Sequence, residues 1–357
     1  MTDVGDALKQ FGLRAISGDD RSWAGHAARL ATAAVEPAYA AAMRVRNLLY
    51  DRGLKRTHDL GRPAISVGNL TTGGTGKTPV VEWLARRLLE RAYHPAVLMR
   101  GYGAERAGDG DELRVLRRAL GDAVPVHANP SRVEGAAAVL RDRPETDVFV
   151  LDDAFQHRRA ARAFDLVLVS ATNPFGFGHV LPRGLLREPP AGLRRATAVL
   201  LTRCDAVDEA ALGDIERHVR RHNSTVPIYR AEHVHAALWD PVTDVQQPVA
   251  ALATEPFFAV AGIGDPGSLH AQLGRFGASY VGHRWFADHH AYSAADVEAI
   301  RTAAGPARVV TTEKDWVKLA GIVGAAGPTI AVLRLAIRFR GDDADRMSAQ
   351  VLSAIGG

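Results

Sequence analysis

Residues 64–88 read AISVGNLTTGGTGKTPVVEWLARRL, and no other stretch limits the fold so strongly. An apolar, β-type run ends near Asn69, three glycines follow within four positions (Gly73, Gly74, Gly76), and apolar residues then recur at helical spacing at Val80, Val81, Leu84, Leu88 and Leu89. A strand that turns directly into a helix belongs to a parallel sheet, because parallel neighbours need a crossover and a helix is the usual one. The rest of the chain follows suit. Further β-type runs at Ala96 to Met99, Val148 to Leu151, Leu166 to Val169, Ala198 to Leu201 and Val226 to Tyr229 alternate with helical patterns after Lys77, Ser131 and Val207. A second, shorter series runs through PFFAVAGIG, SYVGHRWF, RVVTTEKD and PTIAVLRL to a last helix. The turn-rich stretch between the two series divides the chain into 1–61, a first α/β domain at 62–235, a linker at 236–255 and a second α/β lobe at 256–357.

The loop departs from the phosphate-binding pattern G-x-x-x-x-G-K-[ST] only at its first position, where Thr71 stands. That position lies at the strand end, away from where a phosphate must approach. The remainder, Thr72, Gly73, Gly74, Thr75, Gly76, Lys77 and Thr78, supplies a cradle of backbone N–H groups closed by a helix N-terminus. Only five of the 44 Lys and Arg residues are lysine, so a lysine between Gly76 and Thr78 is selected chemistry. Lys77 would place a point charge on the β- and γ-phosphates, and the Thr78 hydroxyl would meet Mg²⁺. In TDVFVLDDAFQHRR, an apolar strand ends in Asp152 and Asp153 at the sheet edge where open α/β sheets bind ligands. One carboxylate would hold Mg²⁺ directly or through water; the other would hold metal or position a nucleophile. LLTRCD puts Thr202 and Arg203 where guanine-reading GTPases carry Asn-Lys, which points to ATP, with Arg203 available to stack on the base.

Other segments leave alternatives open. LMRGYGAERAGDGDELRVL carries Arg100, Tyr102, Asp109, Asp111 and Glu112 on a Gly-rich exit from the same sheet edge, suited to a second substrate or to plain solvent exposure. LPRGLLREPP, with Arg183 and Arg187, reads as an anion clamp or as a surface loop. FADHHAYS pairs Asp288 with His289 and His290, but no H-E-x-x-H spacing or cysteine set accompanies them, so proton transfer beside a carboxylate is favoured over zinc.

Composition narrows the partners. The chain has 357 residues, 47% of them hydrophobic, enough for two packed cores. A charge of +4 with dispersed basic residues and 6% aromatics fits a phosphorylated ligand or an anionic membrane better than nucleic acid. Cys204, the sole cysteine, excludes an internal disulfide and agrees with a reducing compartment. No secretory signal is expected, and the Leu30 to Met43 run is too short to span a bilayer. LATAAVEPAYAAAMRVRNLLYDRGLKR reads either as an amphipathic helix lying in the headgroup layer or as an ordinary helix over the core.

Taken in order, SVGNLTTGGTGKTP, RGYG, GDGDE, LDDAFQHR, LPRGLLREP, FADHH and TTEKDWVKL resemble the tetraacyldisaccharide 4'-kinases, ATP-dependent lipid kinases of lipid A biosynthesis in Gram-negative bacteria. The resemblance implies a P-loop NTPase-like α/β/α sandwich, a smaller α/β/α lobe joined by a β-ribbon, and an active site in the cleft between them. It implies γ-phosphoryl transfer from ATP, with Mg²⁺, to the 4'-hydroxyl of an acylated glucosamine disaccharide 1-phosphate at the cytoplasmic face of the inner membrane. By the same resemblance Asp111 would be the base, His289 would orient it, and Lys77 would act on phosphate. Thr78, Asp152 and Asp153 would form the metal site, and Arg100, Tyr102, Arg187 and Glu188 would line the acceptor side. No obligate protein partner is implied. Two other classes share the loop: a soluble ATPase switch or metal-delivery NTPase, which often carries lysine where Thr72 stands, and a non-catalytic nucleotide-binding protein.

Overall fold

The computed structural model describes residues 4–101, 110–324 and 327–356. Its strands are β1 (Ala64–Asn69), β2 (Pro95–Met99), β3 (Val126–Ala128), β4 (Val148–Asp152), β5 (Phe164–Ser170), β6 (Ala198–Thr202), β7 (Ile228–Trp239), β8 (Gln246–Gln247), β9 (Phe257–Ala261), β10 (Tyr280–Trp285), β11 (Arg308–Thr312) and β12 (Ile330–Phe339). Its helices are α1 (Val4–Ser17), α2 (Trp23–Asp51), α3 (Lys77–Glu90), α4 (Asp111–Leu120), α5 (Arg132–Asp142), α6 (Glu209–His222), α7 (Pro266–Gly274), α8 (Ala294–Ala304), α9 (Glu313–Leu319) and α10 (Asp343–Ile355).

The chain divides into two compact units. The first comprises Met1–Tyr102, Leu120–Glu232 and Ile337–Gly357. Its parallel strands lie in the order β3-β2-β4-β1-β5-β6-β7, so β1 sits between β4 and β5. Every residue of β1, β4 and β5 is buried, as expected of central strands covered by helices on both faces. One apolar core gathers Leu70, Phe155, Val167 and Val199; the other gathers Ala64, Leu98, Phe149 and Leu151. Since the chain leaves β1 toward β2 and β3 on one side and later crosses from β4 to β5 and β6 on the other, the loop leaving the C-terminal end of β1 opens where the strand order reverses.

The second unit comprises Gly103–Ala119 and His233–Ala336. Its parallel strands are ordered β10-β9-β11-β12, and β8 pairs antiparallel with the end of β7 through Leu238 and Trp239.

Two segments fall outside the sequence-based division of the chain. The described residues 110–119, expected with the first domain, belong to the second unit. The Arg118 guanidinium lies 3.1 Å over the Trp239 ring there, a cation–π contact that fastens α4. Ile337–Gly357, expected with the second lobe, belongs to the first unit. Gln350 on α10 accepts from the Tyr229 hydroxyl at 2.8 Å and donates to the Thr197 carbonyl at 3.3 Å, while Asp345 pairs with Arg87 at 2.6 Å. β7 also runs well past the expected Tyr229, its buried residues alternating because only one face is fully covered at first.

Gly68 shows how tightly β1 is packed. A Cβ there would lie 2.7 Å from both Cβ and N of Phe155, atoms that cannot retreat without moving the segment after β4. Gly68→Ala is therefore expected to cost about 1–3 kcal/mol, read as a lower melting temperature; an unchanged melting curve would count against this packing.

Candidate active site

The phosphate loop begins where β1 stops pairing in parallel. Thr71 bridges antiparallel to Leu186, the Thr72 N–H donates to the Leu185 carbonyl at 2.7 Å, and the Arg187 N–H donates to the Leu70 carbonyl at 2.7 Å. The LPRGLLREPP segment is thus stitched onto the loop's first turn. Thr71 is buried and outside the left-handed region, so no glycine is needed there. Gly73 and Gly76 do need to be glycine, with φ of 111° and 79°. Gly76 is the residue preceding α3, which puts Lys77 and Thr78 in the first turn.

Asn69 and Asp153 receive the lysine. Lys77 Nζ donates to Asn69 Oδ1 at 3.2 Å and lies 3.3 Å from Asp153 Oδ1. Arg187 Nη1 donates to both Asp153 oxygens, at 2.8 and 2.9 Å. Burial pushes the Asp153 carboxyl up, but Lys77 and Arg187 outweigh it and hold the group below the ordinary carboxylate value. Asp153 itself takes φ of 50°, unusual for a residue with a side chain. Asp152, the last residue of β4, is buried beside it. Arg132, at the start of α5, donates from Nη2 to the Asp152 carbonyl at 2.7 Å, and burial brings its guanidinium down to about 10.

Glu188 is fully buried. Its oxygens accept from Asn47 Nδ2 at 2.7 Å, Gln156 Nε2 at 3.0 Å and Arg195 Nη2 at 2.8 and 3.0 Å. Arg183, one of the two arginines of the expected anion clamp, contacts Glu36 Oε2 of α2 at 3.1 Å, and the Tyr39 hydroxyl of the same helix donates to the Arg187 carbonyl at 2.8 Å. The loop carrying Arg187 is therefore fastened to α2 along much of that helix. Arg100 ends β2's exit at the same sheet edge, and Arg203 Nη2 lies 3.5 Å from the Gly74 carbonyl. Tyr102 and Asp109 lie outside the described residues.

A separate constellation occupies the second unit. Asp111 opens α4, and its Oδ2 lies 3.4 Å from His289 Nδ1 and 3.0 Å from Lys318 Nζ. Burial raises the Asp111 carboxyl, yet His289 and Lys318 prevail and hold it below its usual value. His289 has φ of 63°, while its neighbour His290 turns to Asp296 Oδ2 at 3.2 Å, so the adjacent histidines serve different carboxylates. Arg132, Gln156 and Lys318 escaped the sequence reading. A lone arginine or glutamine carries no spacing signal, but the rarity of lysine could have singled out Lys318.

A family model described as tetraacyldisaccharide-1-P 4'-kinase matches residues 28–355. The chain is 39% identical over 350 residues to a tetraacyldisaccharide 4'-kinase of Anaeromyxobacter sp. (strain Fw109-5), covering 91% of this chain and 93% of that protein. It is 38% identical over 315 residues to the enzyme of that name from Geobacter metallireducens, covering 83% and 90%. Among solved structures, LpxK from Aquifex aeolicus in complex with ATP matches with a TM-score of 0.74 and 26% identity, covering 92% of this chain and 99% of that one.

His157, in the segment after Asp153, is a sensor of this environment. Burial, reinforced by Arg132, Arg162, Arg100 and Arg46, lowers it from 6.5 to about 4. The unfolded chain therefore takes up a proton that the folded one refuses, and stability should fall as pH drops from 6.5 to about 4. His157→Gln is expected to flatten that decline in melting temperature over this range; an identical decline in the variant would contradict the assignment.

Proposed function

The chain belongs to the tetraacyldisaccharide 4'-kinase family, and we propose how its residues share out that family's reaction. The activity is ATP-dependent phosphorylation of the 4'-hydroxyl of a tetraacyldisaccharide 1-phosphate, a lipid A precursor. The observation that carries the assignment of residues is Lys77 at the mouth of the glycine loop, resting on Asp153 with Arg187 opposite.

ATP's phosphates are taken by N–H groups of the Gly73 to Thr78 stretch, the Thr72 N–H being already given to the Leu185 carbonyl, with Lys77 as the charge that exchanges Asp153 for phosphate oxygen. Mg²⁺ fits the donor set, because the Thr78 hydroxyl and the Asp152 and Asp153 carboxylates are hard oxygen ligands. When bound, it neutralises charge on the phosphates. Arg187 holds charge on the acceptor side, and Arg100 lines that side with it. Glu188 acts at one remove: its buried carboxylate is filled by Asn47, Gln156 and Arg195, so it fixes the backbone of Arg187 and does not itself touch the acceptor.

Asp111 accepts the proton of the acceptor hydroxyl, the oxygen's electron pair bonds to the γ-phosphorus, and ADP departs with the bridging pair. A carboxylate held below its ordinary value is a weak base but stays ionised. That suits a loose phosphoryl transfer, in which the proton is lost late and placement matters more than basicity. His289 orients Asp111 through its Nδ1 contact.

The same reading attaches the protein to the cytoplasmic face of the inner membrane. No helix among the described residues is long and apolar enough to cross a membrane. On α2, however, Trp23, Leu30, Val35, Val45 and Leu48 are exposed, Trp23 to 83% and Leu30 to 74%. Apolar side chains in that number on one helix, with Arg44 and Arg52 beside them, support insertion into a headgroup layer.

Label transfer from γ-labelled ATP to the acylated disaccharide 1-phosphate tests the division of labour. Asp111→Ala is expected to lose about 10²- to 10⁴-fold in turnover while nucleotide binding persists. Lys77→Ala should weaken both. Near-normal turnover in the first, or unaltered ATP use in the second, would remove that residue from its role.

A further inference from the structure

Thr202 ends β6 at the position where guanine-reading GTPases carry asparagine, yet its side chain turns to the glycine loop. The Thr202 hydroxyl donates to the Thr75 carbonyl at 3.0 Å, and both residues are buried, Thr202 completely. The sheet holds its backbone: β6 pairs in parallel with β5 through Ser170 and Thr202, and the Thr202 carbonyl accepts from the Ala171 N–H at 2.9 Å. The next residue, Arg203, takes φ of 57° and brings its Nη2 to 3.5 Å from the Gly74 carbonyl. One residue further, the Cys204 carbonyl accepts from Arg340 Nη2 at 2.9 Å, and Arg340 is itself paired with Glu209 and Glu232 at 2.7 and 2.9 Å. The segment leaving β6 is therefore fixed at Cys204 and grips the glycine loop at Gly74 and Thr75.

Side-chain packing supplies little of that grip. Gly73 and Gly74 are exposed, and a Cβ built on either would meet no heavy atom within 4 Å. Glycine on both sides of Thr75 also leaves the backbone torsions soft. Donors to the loop's carbonyls hold its shape instead. The Thr71 carbonyl accepts from Asn69 Nδ2 at 2.7 Å, the Gly73 carbonyl from the Thr75 N–H at 3.0 Å, and the Thr75 carbonyl from Thr202. In a planar trans peptide the carbonyl of one residue and the N–H of the next point in opposite directions. Because Thr202 is fully buried, drawing the Thr75 carbonyl toward it turns the Gly76 N–H away from the interior.

We propose that Thr202 is a positioning residue for the nucleotide: by drawing the Thr75 carbonyl inward, it presents the Gly76 N–H to the phosphates of ATP. This rests on the phosphate-loop reading. Without the hydroxyl, the Thr75–Gly76 peptide can flip by concerted changes of ψ at Thr75 and φ at Gly76, the second of which glycine tolerates freely. A flipped peptide sets a carbonyl oxygen where a phosphate oxygen must sit. Repulsion between two acceptors then opposes binding of the phosphate chain, whatever base it carries.

The test uses the full chain with Mg²⁺, following label transfer from γ-labelled ATP to the acylated disaccharide 1-phosphate, with inorganic tripolyphosphate as a competitor that has phosphates and no base. Thr202→Val keeps the side-chain shape and removes the hydroxyl; it should raise KM for ATP about ten-fold, with kcat at saturating ATP within about two-fold of the parent. The inhibition constant of tripolyphosphate should rise by the same factor. Thr202→Ser restores the donor and should bring both constants back to within about two-fold of the parent. Thr202→Ala carries the same expectation as Thr202→Val and keeps the test open if the valine variant does not fold. A role in folding alone would lower the active fraction, and so kcat, and leave KM for ATP parental. That result, a change confined to ATP and absent with tripolyphosphate, or parental constants throughout overturns the proposal. Lys77→Ala separates the two readings: if it too takes ATP and tripolyphosphate at parental strength, the phosphate-loop reading fails; if it is impaired while the Thr202 variants are parental, only the role of Thr202 falls.

Discussion

One carboxylate shared by two cations organises the first unit. Asp153 sits where β4 ends and takes a left-handed backbone conformation that a side chain disfavours by about 1 kcal/mol or more. Lys77 and Arg187 offset that strain and the cost of burial. They reach it from different places: Lys77 from the first turn of α3, and Arg187 from a loop stitched to the glycine loop by backbone hydrogen bonds. A single side chain therefore fixes the mutual placement of the phosphate loop, the acidic strand end and Arg187. The cluster is partly exposed, so removing one member destabilises it by less than a fully buried pair would, but still leaves a charge without its partner.

The second unit uses the same device. His289 also has positive φ, and it is also held against a carboxylate, Asp111, that a lysine approaches from a neighbouring helix. In each case a charged side chain on an irregular loop, Arg187 or His289, is held by a carboxylate that a lysine also approaches. The fully buried acids Glu188 and Asp315 act one layer out. Each gathers several donors and fixes a segment next to one of these loop residues, Arg187 in one unit and His289 in the other. Through Glu188 and Tyr39 the Arg187 loop is tied to α2, whose exposed face is apolar.

Much of this was legible in the chain, for identifiable reasons. Strands β1, β2, β4, β5 and β6 are continuous apolar runs because both faces are covered, and such runs are hard to misread. The positions of the glycine loop after β1 and of Asp152 and Asp153 at the end of β4 were legible because an apolar run closed by glycines or by two acids marks a strand end. What escaped was tertiary. Nothing local to Gln350 announces that α10 returns to the first unit, and nothing local to Arg118 announces that α4 stacks on Trp239. Glu188 reads as a ligand-facing acid beside Arg187, yet folding turns it inward because Asn47, Gln156 and Arg195 converge on it from 141, 32 and 7 positions away.

The most direct test of the shared carboxylate is the rate at which Asp153→Asn transfers label from γ-labelled ATP to the acylated disaccharide 1-phosphate. Asparagine keeps the shape and removes the charge that pairs Lys77 with Arg187. The account predicts a loss of about 100-fold or more, the usual scale for removing a preorganised charge interaction at a phosphoryl site. Transfer at the parental rate would contradict it.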